Sequence, residues 1–275
     1  MARAVNEPGA EPGDRPVEAR GALDKALALL TALARPDGPH RLAELAAAAQ
    51  VPKPSAHRML RTLVDNGFAS TVGTGSYQVG PHLLGMAAAA LASSREGRFV
   101  RPVLTDLQRR TGHTVHYALR SRDVAVQLDV VEPASGYRLA VRAGDEVPLH
   151  CSAVGRAILA GLPDREAADL LGPGPLPART PHTLTDPAAV RAAVAQVDAH
   201  GYVVEDEEHE PDVRSIAAPV VDGTGAVVGA VAVSGLTFVL SRDSADVLGP
   251  LVRDAAARLS AALGSGRLRL VGEDG

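Results

Sequence analysis

The sequence predicts an α+β fold in two parts, and three observations carry the prediction. A basic amphipathic segment follows a tight turn at residues 50–52. Short runs of strand-forming residues at 68–72 and 76–79 flank the glycines of Gly73-Thr-Gly75. After residue 98 the apolar spacing becomes a mixture of helical and alternating patterns. At 275 residues the chain is long enough for two domains.

The N-terminal part is predicted to hold three helices. Leucine and alanine recur at helical spacing from residue 23 to 34, and Pro36-Asp-Gly-Pro39 ends that first helix. A second, short helix covers residues 42–49. The third has an apolar stripe and ends at Gly67; the stripe consists of Ala56, Met59, Leu60 and Leu63. Three helices followed by a β-hairpin are the arrangement of a winged helix-turn-helix.

The third helix carries the chemistry of a DNA reader. Pro54 and Ser55 stand where it begins, so free backbone N–H groups and the positive end of the helix dipole suit a phosphate there. Arginine side chains one turn later can reach base edges in the major groove. We therefore predict double-stranded DNA as a partner, with the hairpin as a wing against the backbone. The predicted contacts are Lys53, Pro54, Ser55, His57, Arg58, Arg61, Thr74 and Tyr77. The alternative is a plain helical bundle with solvated arginines.

The charge distribution supports a DNA-binding N-terminal part joined to a C-terminal part with a different role. The net charge of −4 alone argues against nucleic acid, but residues 19–80 hold seven Lys or Arg against four acids. The single cysteine excludes an internal disulfide and fits a reducing cytoplasm. The longest apolar run, near residues 83–92, is too short to span a bilayer, so we expect a cytoplasmic protein with no membrane partner.

Composition also divides the chain. Residues 1–18 mix Glu, Pro, Gly and Arg and are predicted to be a disordered tail. The winged helix-turn-helix is assigned to 19–80, and an Ala-rich linker helix to 81–97. We expect the linker helix to contact its copy in a dimer, or to pack within its own chain. Residues 98–266 form the second domain and 267–275 a flexible tail.

The second domain is predicted to combine an antiparallel sheet with helices at both ends, rather than a doubly wound sheet. Helical spacing is seen in a segment containing Val100, Val103, Leu104 and Leu107, and at 152–162, 187–200 and 244–263, with Asp186 as an N-cap. Strand-like runs occur at 114–119, 124–131, 137–141, 216–221 and 226–234. The last two strands pair across Asp222-Gly-Thr-Gly225, which is a turn rather than a dinucleotide motif.

Chemical alternatives arise from three groups of residues. Cys151 beside His150 suggests a nucleophile and base, but neighbours on a strand point to opposite faces. The acidic run 205–210 lacks the histidine spacing of a zinc protease, and His113 with His116 has poor spacing for shared ligation on a strand. We predict no catalytic residue, metal or cofactor. An enzyme with an appended winged domain, using Cys151, Glu205 and His209, is the alternative, and a protein-binding scaffold is a third option.

With both parts described, the chain resembles an IclR-family transcriptional regulator over residues 20–265. No single motif decides this, but their order and spacing are specific together. The matching segments are residues 52–63, 77–85, 147–160, 201–209, 214–220 and 229–235.

The resemblance implies a GAF-like domain that binds a small, acidic effector, and dimers or dimers of dimers on palindromic operators. It places an effector carboxylate on the backbone amides of Ala153 and Val154, and makes Ala232 a lost polar contact. Asp212 replaces the family's usual glycine. The implied effector-binding residues are His150, Cys151, Ala153, Val154, Glu205, Ser215 and Ser234, with Ser152 nearby. The expected function is a ligand-responsive DNA-binding repressor.

Overall fold

A computed structural model describes residues 21–35 and 38–264 of the chain. They form two compact units that divide between Ala87 and Ala88, which we call the head and the body. The tails predicted at 1–18 and 267–275 lie outside the described residues. In the described part of the chain, no helix combines the length and apolarity that a membrane span requires.

The head confirms the predicted winged helix-turn-helix. Its helices are α1 (Ala22–Leu33), α2 (Leu42–Ala48) and α3 (Lys53–Asp65). Its strands are β1 (His40–Arg41), β2 (Ala69–Val72) and β3 (Ser76–Val79), paired in the order β1-β3-β2. The predicted stripe of α3 does pack inward, since Ala56 and Leu60 are fully buried against leucines of α1 and α2.

The predicted linker segment 81–97 contains the whole of one helix and the start of another. Helix α4 (Pro81–Ser93) ends before Ser94, and α5 (Arg95–Thr111) then begins. The Ser94 hydroxyl accepts a hydrogen bond from the Gly97 amide at 3.0 Å, which caps α5. No residue of α4 is buried, although most of its side chains are apolar. Leu84, for example, is 60% exposed.

The body is built on a six-stranded antiparallel sheet of order β6-β5-β4-β9-β8-β7. The strands are β4 (Thr114–Ser121), β5 (Val124–Val131), β6 (Glu146–Pro148), β7 (Val203–Asp206), β8 (Val213–Val221) and β9 (Val227–Leu236). Helices α5 and α10 (Ser244–Gly264) share one apolar core with the sheet. The other core holds α6 (Ala153–Ala160), α7 (Asp164–Leu171), α8 (Pro187–Val194) and α9 (Gln196–His200).

Small residues on the sheet bring α6 close to the strands. The sheet contributes Ala118, Ala217, Ala230 and Ala232 to the core that contains α6. On the other face, the core with α5 and α10 uses larger residues such as Tyr117 and Ile216. Short side chains let a helix approach a sheet closely. Alternation of small and large residues along one strand therefore gives the two faces of the sheet different spacings from their helices.

The predicted strand at 137–141 is wrong. Within this segment Leu139 is buried, but Tyr137 is 66% exposed and the chain has no regular structure. The edge of β5 pairs instead with β6, which the sequence analysis did not predict. The predicted helix at 187–200 is broken at Ala195 into α8 and α9.

Candidate functional site

Helix α3 presents a row of cations and polar groups to solvent. Lys53, His57, Arg58 and Arg61 are exposed, as is Pro54, and Ser55 is half-buried. The helix has no acidic residue in its first turn. Within residues 21–35 and 38–264, neither the Arg58 nor the Arg61 guanidinium forms a hydrogen bond or ion pair. The charges of this helix are therefore free to meet an anionic partner.

The two predicted wing residues are placed differently. Thr74 is exposed at the turn between β2 and β3, where Gly73 and Gly75 adopt positive φ angles of 56° and 88°. Tyr77 is only 8% exposed and packs in the apolar core of the head. The predicted contact between Tyr77 and the DNA backbone is therefore corrected: strand alternation turns its ring inward.

A cavity of about 220 Å³ lies in the body, beside the N-terminus of α6. Five of the seven predicted effector residues line it: Ala153, Val154, Glu205, Ser215 and Ser234. Ser152 lines it as well. The other two do not: the His150 ring bonds the carbonyl oxygen of Pro177 at 3.0 Å, and Cys151 is fully buried. Neither is therefore a wall residue, although the Cys151 sulfur lies 4.0 Å from Nδ1 of His209, which does line the cavity.

The N-terminus of α6 is arranged to receive an anion. The Ser152 hydroxyl accepts from the Gly155 amide at 3.1 Å and donates to the carbonyl oxygen of Pro148 at 2.6 Å. The amides of Ala153 and Val154 have no acceptor within the helix, as in any first turn. They line the cavity together with Arg179, whose guanidinium supplies a positive charge there.

Gly155 lets α6 approach the chain that precedes it. A Cβ atom at this position would lie 2.4 Å from Leu149 Cα and 2.6 Å from the Leu149 oxygen. We expect Gly155→Ala to lower the free energy of unfolding by about 1–3 kcal/mol, because backbone must move to make room. Denaturant titration measures this, with Gly174→Ala as the control, since no atom lies within 4 Å of its Cβ position. Equal stability of the two variants would contradict this packing.

Glu205 is the most buried acid in the cavity wall, at 1% exposure. Its Oε1 accepts the amides of Glu208 at 2.6 Å and His209 at 3.0 Å, which fixes the loop after β7. Burial, with the nearby Glu208 carboxylate, raises the pKa of Glu205 to about 7, although the two amides oppose the shift. Its Oε2 has no hydrogen-bond partner in the described part of the chain.

His116 and Gln127 also belong to the cavity wall, and sequence analysis missed this role. His116 Nδ1 lies 2.9 Å from Gln127 Oε1, and its Nε2 lies 2.9 Å from the Ser234 hydroxyl. Ser234 in turn lies 2.8 Å from the Ser215 hydroxyl. The wall is therefore polar. Ala232, which the resemblance made a lost polar contact, is not among the residues lining the cavity and packs in the core with α6. These partners lie on two other strands, so only the registers of β4 against β5 and against β9 could have indicated them.

A buried ion pair holds the cavity loops against α6. Arg156 is 1% exposed; its Nη1 bonds Glu208 Oε1 at 2.6 Å and its Nη2 bonds Glu208 Oε2. Arg156 Nε also donates to the His150 oxygen at 2.8 Å. The backbone carbonyl oxygen of Glu208 accepts a hydrogen bond from the Thr183 hydroxyl at 2.7 Å. Through these bonds the chain before α6, the loop before α8 and the loop after β7 are fixed together.

The chemical alternatives find no support in this geometry. Cys151 Sγ lies 4.0 Å from His209 Nδ1, but burial raises the pKa of the thiol to about 11, so the nucleophilic thiolate is not formed near neutral pH. Four of the five acids in the 205–210 run, all but Glu210, are engaged by protein groups: Asp206, for instance, pairs with Arg214 at 2.6 Å and Arg242 at 2.7 Å. Asp212 adopts the left-handed φ of 60° that a glycine would favour there.

Comparison with known proteins covers both units. Residues 22–73 match the model of the IclR helix-turn-helix domain. Residues 90–261 match the model described as the bacterial transcriptional regulator IclR C-terminal domain. The first model thus covers the unit that holds the basic helix, and the second covers the unit that holds the cavity.

Individual relatives agree. The transcriptional repressor IclR of Escherichia coli K12 is 32% identical over 248 residues, which cover 89% of this chain and 90% of that protein. An IclR transcriptional regulator from Alicyclobacillus acidocaldarius has a TM-score of 0.79 at 27% identity, covering 88% of this chain and 98% of its own. An IclR homologue from Microbacterium hydrocarbonoxydans, solved with 4-hydroxybenzoate, has a TM-score of 0.76 at 22% identity, covering 88% and 99%; this likeness concerns the fold.

Proposed function

The chain belongs to the IclR family of bacterial transcriptional regulators, and we propose that it represses genes by placing α3 in the major groove of a palindromic operator. As a member of this family it is a ligand-responsive DNA-binding regulator rather than an enzyme. The observation that supports the proposed docking is the exposed row of Lys53, Arg58 and Arg61 on α3, for which residues 21–35 and 38–264 supply no ion-pair partner. Because duplex DNA is the partner, we place the protein in the cytoplasm.

The proposed effector is a small carboxylate bound in the cavity of the body. Its carboxylate would lie on the amides of Ala153 and Val154, with Arg179 adding positive charge. Glu205, Ser215 and Ser234 would contact the rest of the molecule. The 4-hydroxybenzoate held by the Microbacterium homologue is one such acid.

Footprinting tests the proposal as a whole. Purified protein is incubated with its own upstream DNA, with and without a panel of carboxylic acids. We expect a protected palindrome whose protection changes with one acid. Absence of protection would contradict the DNA-binding assignment, and protection unaltered by every acid would contradict the proposed effector class.

A second copy of the chain is the proposed cover for α4. The helix buries none of its residues, and its exposed apolar side chains include Leu84, Met86 and Leu91. An exposed apolar surface of this kind marks an interaction site. We expect sedimentation to give at least a dimer, and Leu84→Asp with Met86→Asp to shift the protein toward monomer. A monomeric wild type would contradict the proposal.

Effector affinity is expected to depend on pH through Glu205. Above pH 7 its carboxylate is ionised and repels a bound carboxylate in the same cavity; below pH 7 it is protonated and the repulsion disappears. His116 and His209 stay neutral in this range, since burial lowers both pKa values to about 4. Calorimetric affinity should therefore rise as pH falls from 8 to 6. Glu205→Gln should make effector affinity independent of pH. A wild-type affinity that does not change between pH 8 and 6 would contradict the role of Glu205.

A further inference from the structure

A second concavity, which we call the groove, lies in the body between α7, α8 and the end of α6. Its volume is about 530 Å³, compared with about 220 Å³ for the cavity, and the described residues that line the two sites are all different. Helix α6 reaches both sites. Ala153 and Val154 at its start line the cavity, whereas Leu159 near its end lines the groove. The groove is therefore a separate site within the same unit.

The apolar surface of the groove is aliphatic. Leu159, Ala167 and Leu171 line it and are buried, and Leu162 and Val194 line it and are half-buried. Among its described lining residues, none has an aromatic ring or an uncharged polar side chain. A polar group placed on this surface would lose its hydrogen bonds to water without replacement, which is costly. A hydrocarbon chain would instead be stabilised there by leaving water.

Positive charge stands beside this aliphatic surface. The charged side chains that line the groove are Asp164, Arg165 and Arg191, so two arginines stand against one aspartate. Arg165 on α7 and Arg191 on α8 are exposed, and within residues 21–35 and 38–264 neither guanidinium forms a hydrogen bond or an ion pair. An anion that enters the groove can therefore pair with guanidinium groups that no described protein group already holds.

The shape of the groove favours a small molecule over a protein partner. None of the exposed large apolar side chains in the described part of the chain lines it, so its apolar surface is confined to the concavity. Its volume of about 530 Å³ lies within the range of small-molecule sites, about 300–1,000 Å³. A protein partner would need a wider apolar face around the groove.

We propose that the groove is a second ligand site, which binds the hydrocarbon chain of a medium-length fatty acid and pairs its carboxylate with Arg165 and Arg191. The two ends of such a molecule match the two kinds of surface in the groove. The effector cavity differs, because His116 and Gln127 make its wall polar and an unsubstituted chain would leave such groups without a partner. The groove site depends neither on the proposed docking of α3 nor on the proposed effector.

Calorimetry on the full chain with a series of acids tests the class of ligand. The acids are hexanoate, octanoate and decanoate, each kept below the concentration at which it forms micelles. Affinity should rise about two- to fourfold with each added methylene, because each one removes further apolar surface from water. Octylammonium has the same chain with a positive charge and should bind at least about tenfold more weakly than octanoate. Affinity that does not rise with chain length, or equal binding of octylammonium, would overturn the proposal.

The arginines are tested by a double variant. Arg165→Gln with Arg191→Gln should lower octanoate affinity about two- to twentyfold, which is the effect of losing two solvent-exposed ion pairs. Arg109→Gln with Arg110→Gln is the matched control, since it removes two exposed charges from α5, on the other face of the sheet, and should leave the affinity unchanged. Equal octanoate affinity of the two double variants would overturn the proposal.

The aliphatic surface is tested by filling it. Ala168 is half-buried in the groove, and Ala168→Leu should lower octanoate affinity about tenfold, because the added carbons occupy the space of about two methylenes of the chain. Ala192→Leu adds the same carbons at an exposed position of α8 outside the groove and should leave the affinity unchanged. Equal affinity of these two variants would contradict the site. If circular dichroism shows that Ala168→Leu does not fold, the arginine variants decide.

Two further measurements distinguish the groove from other places where octanoate could bind. Arg179 lines the cavity but not the groove, so Arg179→Gln should leave octanoate affinity unchanged. If Arg179→Gln weakens octanoate binding and the groove variants do not, the acid occupies the effector cavity and the proposal is wrong. Cosedimentation with phosphatidylglycerol vesicles, without any binding of monomeric octanoate, would also overturn it, because the groove would then contact a membrane surface.

Discussion

Arg156→Met is expected to lower the free energy of unfolding of the body by about 3–5 kcal/mol. The substitution keeps an apolar stem of similar length but leaves the Glu208 carboxylate buried without its ion-pair partner. It also removes the donor to the His150 oxygen. The chain before α6, the loop after β7 and the loop before α8 would no longer be held together by hydrogen bonds. Because these segments surround the cavity, effector affinity should fall as well.

The control for this prediction is an ion pair in the same unit that solvent reaches. Arg120 Nη2 lies 2.6 Å from Glu166 Oε1, and both side chains reach solvent. Arg120→Met is expected to cost at most about 1 kcal/mol, because water already screens the pair. Denaturant titrations followed by circular dichroism compare the two variants. A loss for Arg156→Met no larger than that for Arg120→Met would show that the buried pair does not hold the loops.

Arg58→Ala is expected to weaken operator binding by about 1–3 kcal/mol, or roughly 5- to 150-fold, if its guanidinium reads a base. Nothing within the head competes for this side chain, since it is exposed and unpaired in the described residues. Lys53→Ala should instead weaken binding to all sequences alike and reduce the dependence on salt, because a lysine at the start of α3 faces a phosphate.

Arg35→Ala provides the matched control, since it removes the same charge from the head at an exposed position outside α3. Fluorescence anisotropy with operator and scrambled duplexes distinguishes the variants. We expect Arg58→Ala to lose discrimination between the two duplexes and Arg35→Ala to keep it. If Arg58→Ala binds and discriminates as wild type does, α3 does not read bases through this residue.

The architecture was predictable wherever one local pattern determined an element. The stripe of Ala56 and Leu60 indicated which face of α3 is buried, and so which residues are exposed. The same reasoning failed at 137–141, where an apolar alternation was read as a strand. Leu139 alone is buried there, and β6 occupies the edge of β5 that such a strand would need. Periodicity shows that a side chain is buried but does not show which strand it pairs with.

The cavity was only partly predictable. The resemblance supplied Ala153, Val154, Glu205, Ser215 and Ser234, all of which line it. It also led us to place His150 and Cys151 in the wall, and neither lines the cavity. The reason is that adjacency in sequence does not determine where side chains point at the start of a helix. The hydrogen bonds of His116 could not be predicted, since its partners Gln127 and Ser234 lie 11 and 118 residues away in sequence. Such groupings arise from strand register, which sequence patterns specify weakly.

Communication between the cavity and α3 is the central claim, and a thermodynamic cycle tests it most directly. The dissociation constant of the effector is measured with and without saturating operator DNA, and that of the operator with and without saturating effector. Linkage requires the two ratios to be equal, and we predict a common factor of about 5–150. An effector dissociation constant that is unchanged by operator DNA would contradict the account, because the two sites would then be independent.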